Sequence, residues 1–262
     1  MSTSKSSGYE ALHISYTNAK VEHTFIYKLF FLKFMLKSDL HLHCKGDPED
    51  DYIEDTAKDY IDYAAKLGFN VLSFTCHKTV LDIKPFQKYA MKKGIVLIPG
   101  AEACIEEKDV LLYNFTKKQV AGIKTFDDLR AIKSKKHLVI APHPFYPHFE
   151  PPSFRNRSMN KLILANIDLI DALEFCNLYT SHMTFNTKAV LAAKKHRLAL
   201  VGNSDAHNIR QMNTTYSWID SKLDAESIIK AVKQRKVEIA SAPRSAFSCL
   251  SILLGHARHI KF

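Results

Sequence analysis

From residue 34 onward, short apolar runs bounded by polar turns alternate with stretches where apolar residues return at helical spacing. The pattern predicts a strand over 34–40 and a helix over 52–67, with Tyr52, Ala57, Tyr60, Ala64 and Leu67 on one face and Gly68 as its stop signal. A strand at 70–75, a helix at 84–93 closed by Gly94, and strands at 95–99 and 110–115 follow. Thr125 is placed to cap a helix reaching about 134. Beyond it come a strand at 138–141, a Pro-rich loop at 142–153, a helix at 158–166, a strand at 170–175 and a helix at 184–196. Strands at 198–202 and 215–219, a helix at 224–235 and a strand at 237–241 complete the series. Repeating strand–helix units of this kind predict an α/β fold with a mainly parallel sheet. No Gly- or Ser-rich linker divides the series, and no internal repeat is visible.

The first 24 residues are polar, rich in Ser and Thr, and without a clear period. The apolar run Phe25–Leu36 contains Lys28 and Lys33, is shorter than the roughly 18 residues of a membrane span, and has no small-residue cleavage site. Residues 1–33 are therefore read as an extension or disordered tail, expected to be dispensable, and 34–262 as one domain. The formal net charge of +10 suits a phosphate-bearing partner, nucleic acid included, although no dense basic run is present. The five Cys form no CxxC pair, which points to a reducing, cytoplasmic setting without a disulfide framework. No membrane association is expected, and the oligomeric state is open.

The chemistry is concentrated at the ends of the predicted strands. The first runs into Asp39-Leu40-His41-Leu42-His43, where strand alternation puts both imidazoles on one face, as two ligands of one metal ion would be. The second ends in Thr75-Cys76-His77, the third in Pro99-Gly100-Ala101-Glu102, and the strand at 138–141 in Pro142-His143-Pro144. Strand 170–175 carries Glu174, with Asn177 beyond it, and strand 198–202 runs into Asn203-Ser204-Asp205-Ala206-His207. In α/β sheets the functional pocket lies at these carboxyl ends. A carboxylate such as Glu102 after an apolar run needs a partner when buried. Four of the Cys (Cys44, Cys76, Cys104 and Cys176) lie beside these groups and are read as packing residues.

Taken together, the D-x-H-x-H, T-x-H, G-x-E, H-P and S-D-A-H segments resemble, in that order, the motifs of the PHP family (polymerase and histidinol phosphatase domains), over about residues 35–245. The resemblance implies a distorted (β/α)7 barrel holding two or three divalent metals. It also implies that His41, His43, Glu102 and Asp205 hold a first ion and that Glu102 bridges to a second held by His143. His77 and His207 would hold a third, with Asp47 chosen over Asp50 and Asp51 as its carboxylate. The chain departs from the pattern at two places. Cys76 stands where the family has Asp. The further His that some members carry between the G-x-E and H-P motifs has His137 as its only candidate here, at the beginning of a strand rather than the end.

Mixed His and carboxylate donors suit Zn²⁺, Mn²⁺ or Fe²⁺. Clustered ions of this kind favour phosphoester hydrolysis, because they make hydroxide available near neutral pH and neutralise phosphoryl oxygens. The expected activity is hydrolysis of a small phosphomonoester or nucleotide by metal-bound hydroxide, with His41, Asp205 and His207 as catalytic residues. Arg155, Arg157 and Arg210, with Arg244, are the candidates for phosphate contacts. The alternatives are a nuclease trimming nucleic-acid ends, a non-enzymatic PHP module supporting a partner, and an amidohydrolase-like enzyme acting on a C–N bond.

Overall fold

A computed structural model describes residues 12–14, 35–145 and 161–258. The strands are β1 (Leu12–Ile14), β2 (Leu36–Leu42), β3 (Val71–Phe74), β4 (Val96–Leu97), β5 (Gly100–Ile105), β6 (Lys108–Tyr113), β7 (Leu138–Ala141), β8 (Ala172–Phe175), β9 (Ala199–Gly202), β10 (Thr215–Ile219) and β11 (Val237–Ser241). The helices are α1 (Ala57–Lys66), α2 (Lys84–Lys92), α3 (Lys117–Gly122), α4 (Phe126–Ile132), α5 (Lys161–Ala165), α6 (Asn186–His196), α7 (Ala225–Lys233) and α8 (Ala246–Arg258). None of the described helices is long and apolar enough to cross a membrane.

The strands form two mixed sheets, in the orders β1-β11-β10-β2-β3-β4 and β5-β6-β7-β8-β9. Strands β2, β3 and β4 run parallel, as do β7, β8 and β9, while β10 is antiparallel to both β2 and β11. The α/β class holds, with two mixed sheets in place of the mainly parallel one expected, and no closed barrel is formed among the described residues. Among the described residues no ladder joins β4 to β5 or β9 to the other sheet, and β5–β6–β7 is an antiparallel meander. Its hairpin turn, Glu106–Glu107, has both residues at positive φ (46° and 67°). That is the backbone of a two-residue turn usually built from Asn-Gly or Asp-Gly, so Glu-Glu gave no turn signal and β5 was read as the loop after β4. The strand Leu12–Ile14, within the stretch expected to be a tail, pairs with β11. Helices α3 and α8 were also missed in the sequence pattern.

Local signals explain the elements that were found. Thr56 and Asp59 form a capping box at the start of α1, as Thr125 and Asp128 do at α4. Gly68 and Gly94, at φ 75° and 74°, end α1 and α2. The first sheet packs Leu72 and Phe74 against Tyr60 and Ile61 of α1, and the second packs Val110 and Leu112 against Phe126 and Leu129 of α4. Between the sheets lies a third apolar cluster, with Leu40 and Val71 from one sheet and Leu111, Tyr113 and Ile140 from the other. The Tyr113 hydroxyl crosses it to donate to Leu40 O at 2.8 Å.

Two seams join the sheets without a continuous ladder. At one, the Ser217 hydroxyl of β10 bridges Gly202 of β9, accepting from its N–H at 2.8 Å and donating to its carbonyl at 3.0 Å. At the other, Glu102 N–H donates to Thr75 O, and Lys78 N–H to Glu102 O. Each seam has a glycine at closest approach. A Cβ on Gly202 would meet Ile239 Cγ2 at 2.8 Å and Tyr216 O at 3.0 Å, and one on Gly100 would meet Ser73 Oγ and Thr75 Cγ2. Gly202→Ala is therefore expected to destabilise the fold by about 1–3 kcal/mol through overpacking. Urea denaturation should show a lower midpoint with an unchanged slope; an unchanged midpoint would show that the seam is looser than this geometry.

Candidate metal centre

The carboxyl ends of β2, β3, β7 and β9 meet at one end of the two sheets. His41 is the penultimate residue of β2, which runs two residues further than predicted, and His43 follows directly. His77 lies three residues past β3, His143 two past β7, and Asp205 and His207 three and five past β9. Glu102 is the third residue of β5 and points into the same space. Its Oε2 stands 3.2 Å from His41 Nε2, 3.3 Å from His43 Nε2 and 3.4 Å from His77 Nε2, and its Oε1 is 3.5 Å from His143 Nε2. Asp205 Oδ1 faces His41 Nε2 at 3.3 Å and His43 Nε2 at 3.4 Å.

The opposite ring nitrogens are held by other carboxylates. His41 Nδ1 lies 3.0 Å from Glu174 Oε1. The same oxygen accepts from Asn203 Nδ2 at 2.8 Å, and Glu174 Oε2 accepts from His143 N–H at 2.9 Å. Asp47 sits behind two rings, 2.8 Å from His43 Nδ1 and 3.0 Å from His77 Nδ1, and accepts from His77 N–H. A carboxylate on one ring nitrogen fixes the tautomer and leaves the other free to ligate. That arrangement aims the Nε2 atoms of His41, His43 and His77 toward Glu102. Two of the site residues adopt left-handed backbone, His143 at φ 29° and Asp205 at φ 47°. Such strain costs on the order of 1–3 kcal/mol per residue and survives only where neighbours impose it. Here Glu174 holds His143 N–H, Asp39 accepts from Ser204 N–H, and His43 N–H donates to Ala206 O.

Burial opposes charge on Glu102, Asp205, His41, His43 and His143, and proximity overcomes it. It would raise Glu102 and Asp205, but the imidazoles hold both well below the usual carboxylate range. It would lower His41 and His43, yet Asp205, Glu174, Asp47 and Glu102 hold them well above the usual imidazole value. His143 is likewise raised to about 9, burial being outweighed by Glu102. His43 Nε2 is buried without a hydrogen bond among the described residues, although two carboxylate oxygens face it. A cation lying between them would satisfy all three atoms.

Three sets of donor atoms, each within a 4.8 Å spread, fit this requirement: His41, His43 and Asp205; His43, Asp47, Asp50 and His77; and Glu102, Asp109 and His143. Ligands about 2.1 Å from one ion are at most about 4.2 Å apart, so small adjustments suffice to close each set. The sequence candidates His41, His43, Asp47, His77, Glu102, His143, Asp205 and His207 are thus brought together. Asp50, passed over in the sequence, lies 3.3 Å from His77 Nδ1 and 3.1 Å from His207 Nε2. Asp109 and Asn203 were missed altogether: Asp109 is the second residue of β6, one place before the strand predicted over 110–115, and Asn203 reads as an ordinary turn residue.

Other candidates are placed differently. His137 sits at the start of β7, its ring stacked on Phe115 with centroids 3.9 Å apart, so it is separated from His143 by the length of the strand. Arg210 is exposed in a 3-10 turn. The Arg244 guanidinium is engaged by Thr214 Oγ1, Gln211 O and Asn177 O, which makes it a brace for two loops. Arg155 and Arg157 lie outside the described residues. Cys44 and Cys76 are buried with their sulfurs 3.8 Å apart, behind His43 and His77.

A family model described as the PHP domain matches residues 39–208, and one described as PHP-associated matches residues 184–237. The chain belongs to the PHP family. Its PHP segment begins at the aspartate before His41 and ends one residue after His207, so it encloses the whole cluster. An uncharacterized protein of Methanocaldococcus jannaschii is 25% identical over 120 residues, 43% of this chain and 70% of that protein. Among solved structures, PsfC from Pseudomonas syringae superposes with a TM-score of 0.58 at 16% identity, covering 86% of this chain and 98% of PsfC. A two-domain protein from Bacteroides vulgatus, described as containing a predicted PHP-like metal-dependent phosphoesterase, gives 0.56 at 17% identity. There the alignment covers 79% of this chain and 65% of that one. Both structures are similar to this chain in fold.

Two outcomes follow from the geometry. The raised pKa values of His41 and His43 mean that both carry protons near neutral pH in the ion-free protein, whereas a metal ligand must be neutral. Metal uptake should release protons, and affinity should strengthen as pH rises from about 6 to about 8. Calorimetry in two buffers of different ionisation enthalpy reads the release directly, and zero release would contradict the assignment. Glu174→Ala should weaken metal affinity by about 10–100-fold, because His41 loses its orienting partner; competition with a chelating dye measures the loss.

Proposed function

We propose that this PHP protein is a metal-dependent phosphoric ester hydrolase acting on a small phosphomonoester or nucleotide. The observation that carries the proposal is the convergence of four histidine Nε2 atoms, from the ends of three strands, on the single carboxylate of Glu102. Structural or regulatory roles do not require so many ligating atoms in one buried place. The phosphoesterase description of the Bacteroides vulgatus relative supports the same reaction class.

The donor sets suit two or three divalent ions of the Zn²⁺, Mn²⁺ or Fe²⁺ class. Such ions, when bound, lower the pKa of water to about 7 and neutralise phosphoryl charge. His41, His43 and Asp205 with Glu102 form the first position, and Glu102 with His143 the second. His77 and His207 with Asp50 form the third, beside Asp47. The distorted barrel implied by the family would be completed across the two seams. Where the third position is empty, His207 would instead serve as proton donor to the leaving oxygen. It is partly exposed, and Gln211 holds its backbone N–H at 2.6 Å. Arg210 at the rim, with Arg155 and Arg157, would receive the substrate phosphate. Five cysteines unpaired by disulfides fit a cytoplasmic setting.

Protein purified without chelator should contain divalent metal by elemental analysis. It should hydrolyse at least one member of a panel of nucleotides, histidinol phosphate and other small phosphomonoesters. Short oligonucleotides in the same panel test the nuclease alternative. His41→Ala and Asp205→Ala should each reduce turnover on the order of 10³-fold or more, equivalent to about 4 kcal/mol of barrier. Full turnover by either variant with normal metal content would overturn the proposal.

A further inference from the structure

We propose that Asp109 is a ligand of the second ion, standing in for the additional histidine found in some PHP members between the G-x-E and H-P motifs. The inference rests on the metal-centre reading above and concerns a residue outside every motif of the resemblance. His137, the only histidine in that interval, is excluded by its place at the far end of β7 against Phe115. The β5–β6 hairpin supplies the alternative. In its register Glu102 is opposite Leu111 and Cys104 is opposite Asp109. Residues two apart on a strand share a face. Asp109 therefore stands on the same face as Leu111 and Glu102, one step toward the hairpin turn. Leu111 joins the apolar cluster between the sheets.

Asp109 is a buried carboxylate, only 4% exposed. One of its oxygens lies within 4.8 Å of ligand atoms on both Glu102 and His143. Each of the three residues comes from a different strand or strand end, so the set is fixed by the meander rather than by one flexible loop. The chemistry of the set differs from that of the first position. Two carboxylates with a single imidazole make an oxygen-rich site that suits a harder ion such as Mn²⁺, whereas the first position, with two imidazoles beside Asp205 and the shared Glu102, is richer in nitrogen and suits Zn²⁺. The second position of this chain thereby becomes selective for Mn²⁺ over Zn²⁺ relative to the first.

Equilibrium dialysis with Mn²⁺ and with Zn²⁺, together with electron paramagnetic resonance of the Mn²⁺-loaded protein, tests this without an activity assay. The wild-type protein should take up at least two equivalents of Mn²⁺, with the resonance signature of two spin-coupled ions. Asp109→Asn, close in shape, should bind one equivalent fewer, or bind it at least about 10-fold more weakly, and lose the coupled signal. Asp109→His should keep the second equivalent but shift its preference from Mn²⁺ to Zn²⁺. Asp109→Asn binding with unchanged stoichiometry and affinity would overturn the role of Asp109 while leaving the metal centre standing. If Asp109→Asn does not fold, an unaltered metal preference in Asp109→His has the same force. A wild-type protein that binds neither ion would instead overturn the metal-centre reading itself.

Discussion

A single buried carboxylate organises this molecule. Glu102 accepts the approach of four imidazoles from the ends of β2, β3 and β7, and its own strand lies in the opposite sheet from two of those ends. Burying one unpaired charge costs several kcal/mol, so such a group persists only with compensation on every side. The compensation is mutual: imidazoles hold the carboxylates ionised, and the carboxylates hold the imidazoles charged. The two sheets are therefore joined at their functional end by electrostatics and at their middle by the apolar cluster around Leu111 and Tyr113.

The rest of the architecture keeps that arrangement in register. Bare Cα atoms at Gly100 and Gly202 let the sheets approach closely enough for the strand ends to share a pocket. Asn203 ties Leu40 N–H to Glu174 and thereby couples β2, which carries His41, to the turn that carries Asp205. Glu174 aligns His41, whose far nitrogen faces the centre, and Asp47 lies against the Nδ1 atoms of His43 and His77. Removing a supporting residue would thus change the direction of a lone pair rather than delete a donor.

The site was more legible in the sequence than the sheet that carries it. His41, His43, His77, Glu102, His143, Asp205 and His207 each lie at or within a few residues of the end of an apolar run, and the period of a strand puts His41 and His43 on one face. What could not be read depends on contacts between segments distant in sequence. The Glu106–Glu107 turn uses left-handed backbone without the residues that favour it, so β5 and its pairing with β6, which places Asp109 beside Glu102, left no local trace. Asp47 and Asp50 both reach His77 Nδ1, at 3.0 and 3.3 Å, and spacing along a loop carries no information on that shared approach. The seams were hidden for the same reason: Ser217 and Gly202 are unremarkable until β9 and β10 are side by side.

The left-handed backbone at His143 and Asp205 limits how these positions can drift over evolutionary time. Each must satisfy two demands at once: a side chain able to donate electrons, and a main chain tolerant of positive φ. Asn and Gly meet the second demand while weakening or abolishing the first, and β-branched residues meet neither. A lineage relaxed from catalysis would therefore be expected to accumulate Asn or Gly at these two places first, since those replacements relieve the local strain they inherit. Their presence in a homologue would record a weakened donor set even where the surrounding strands were intact.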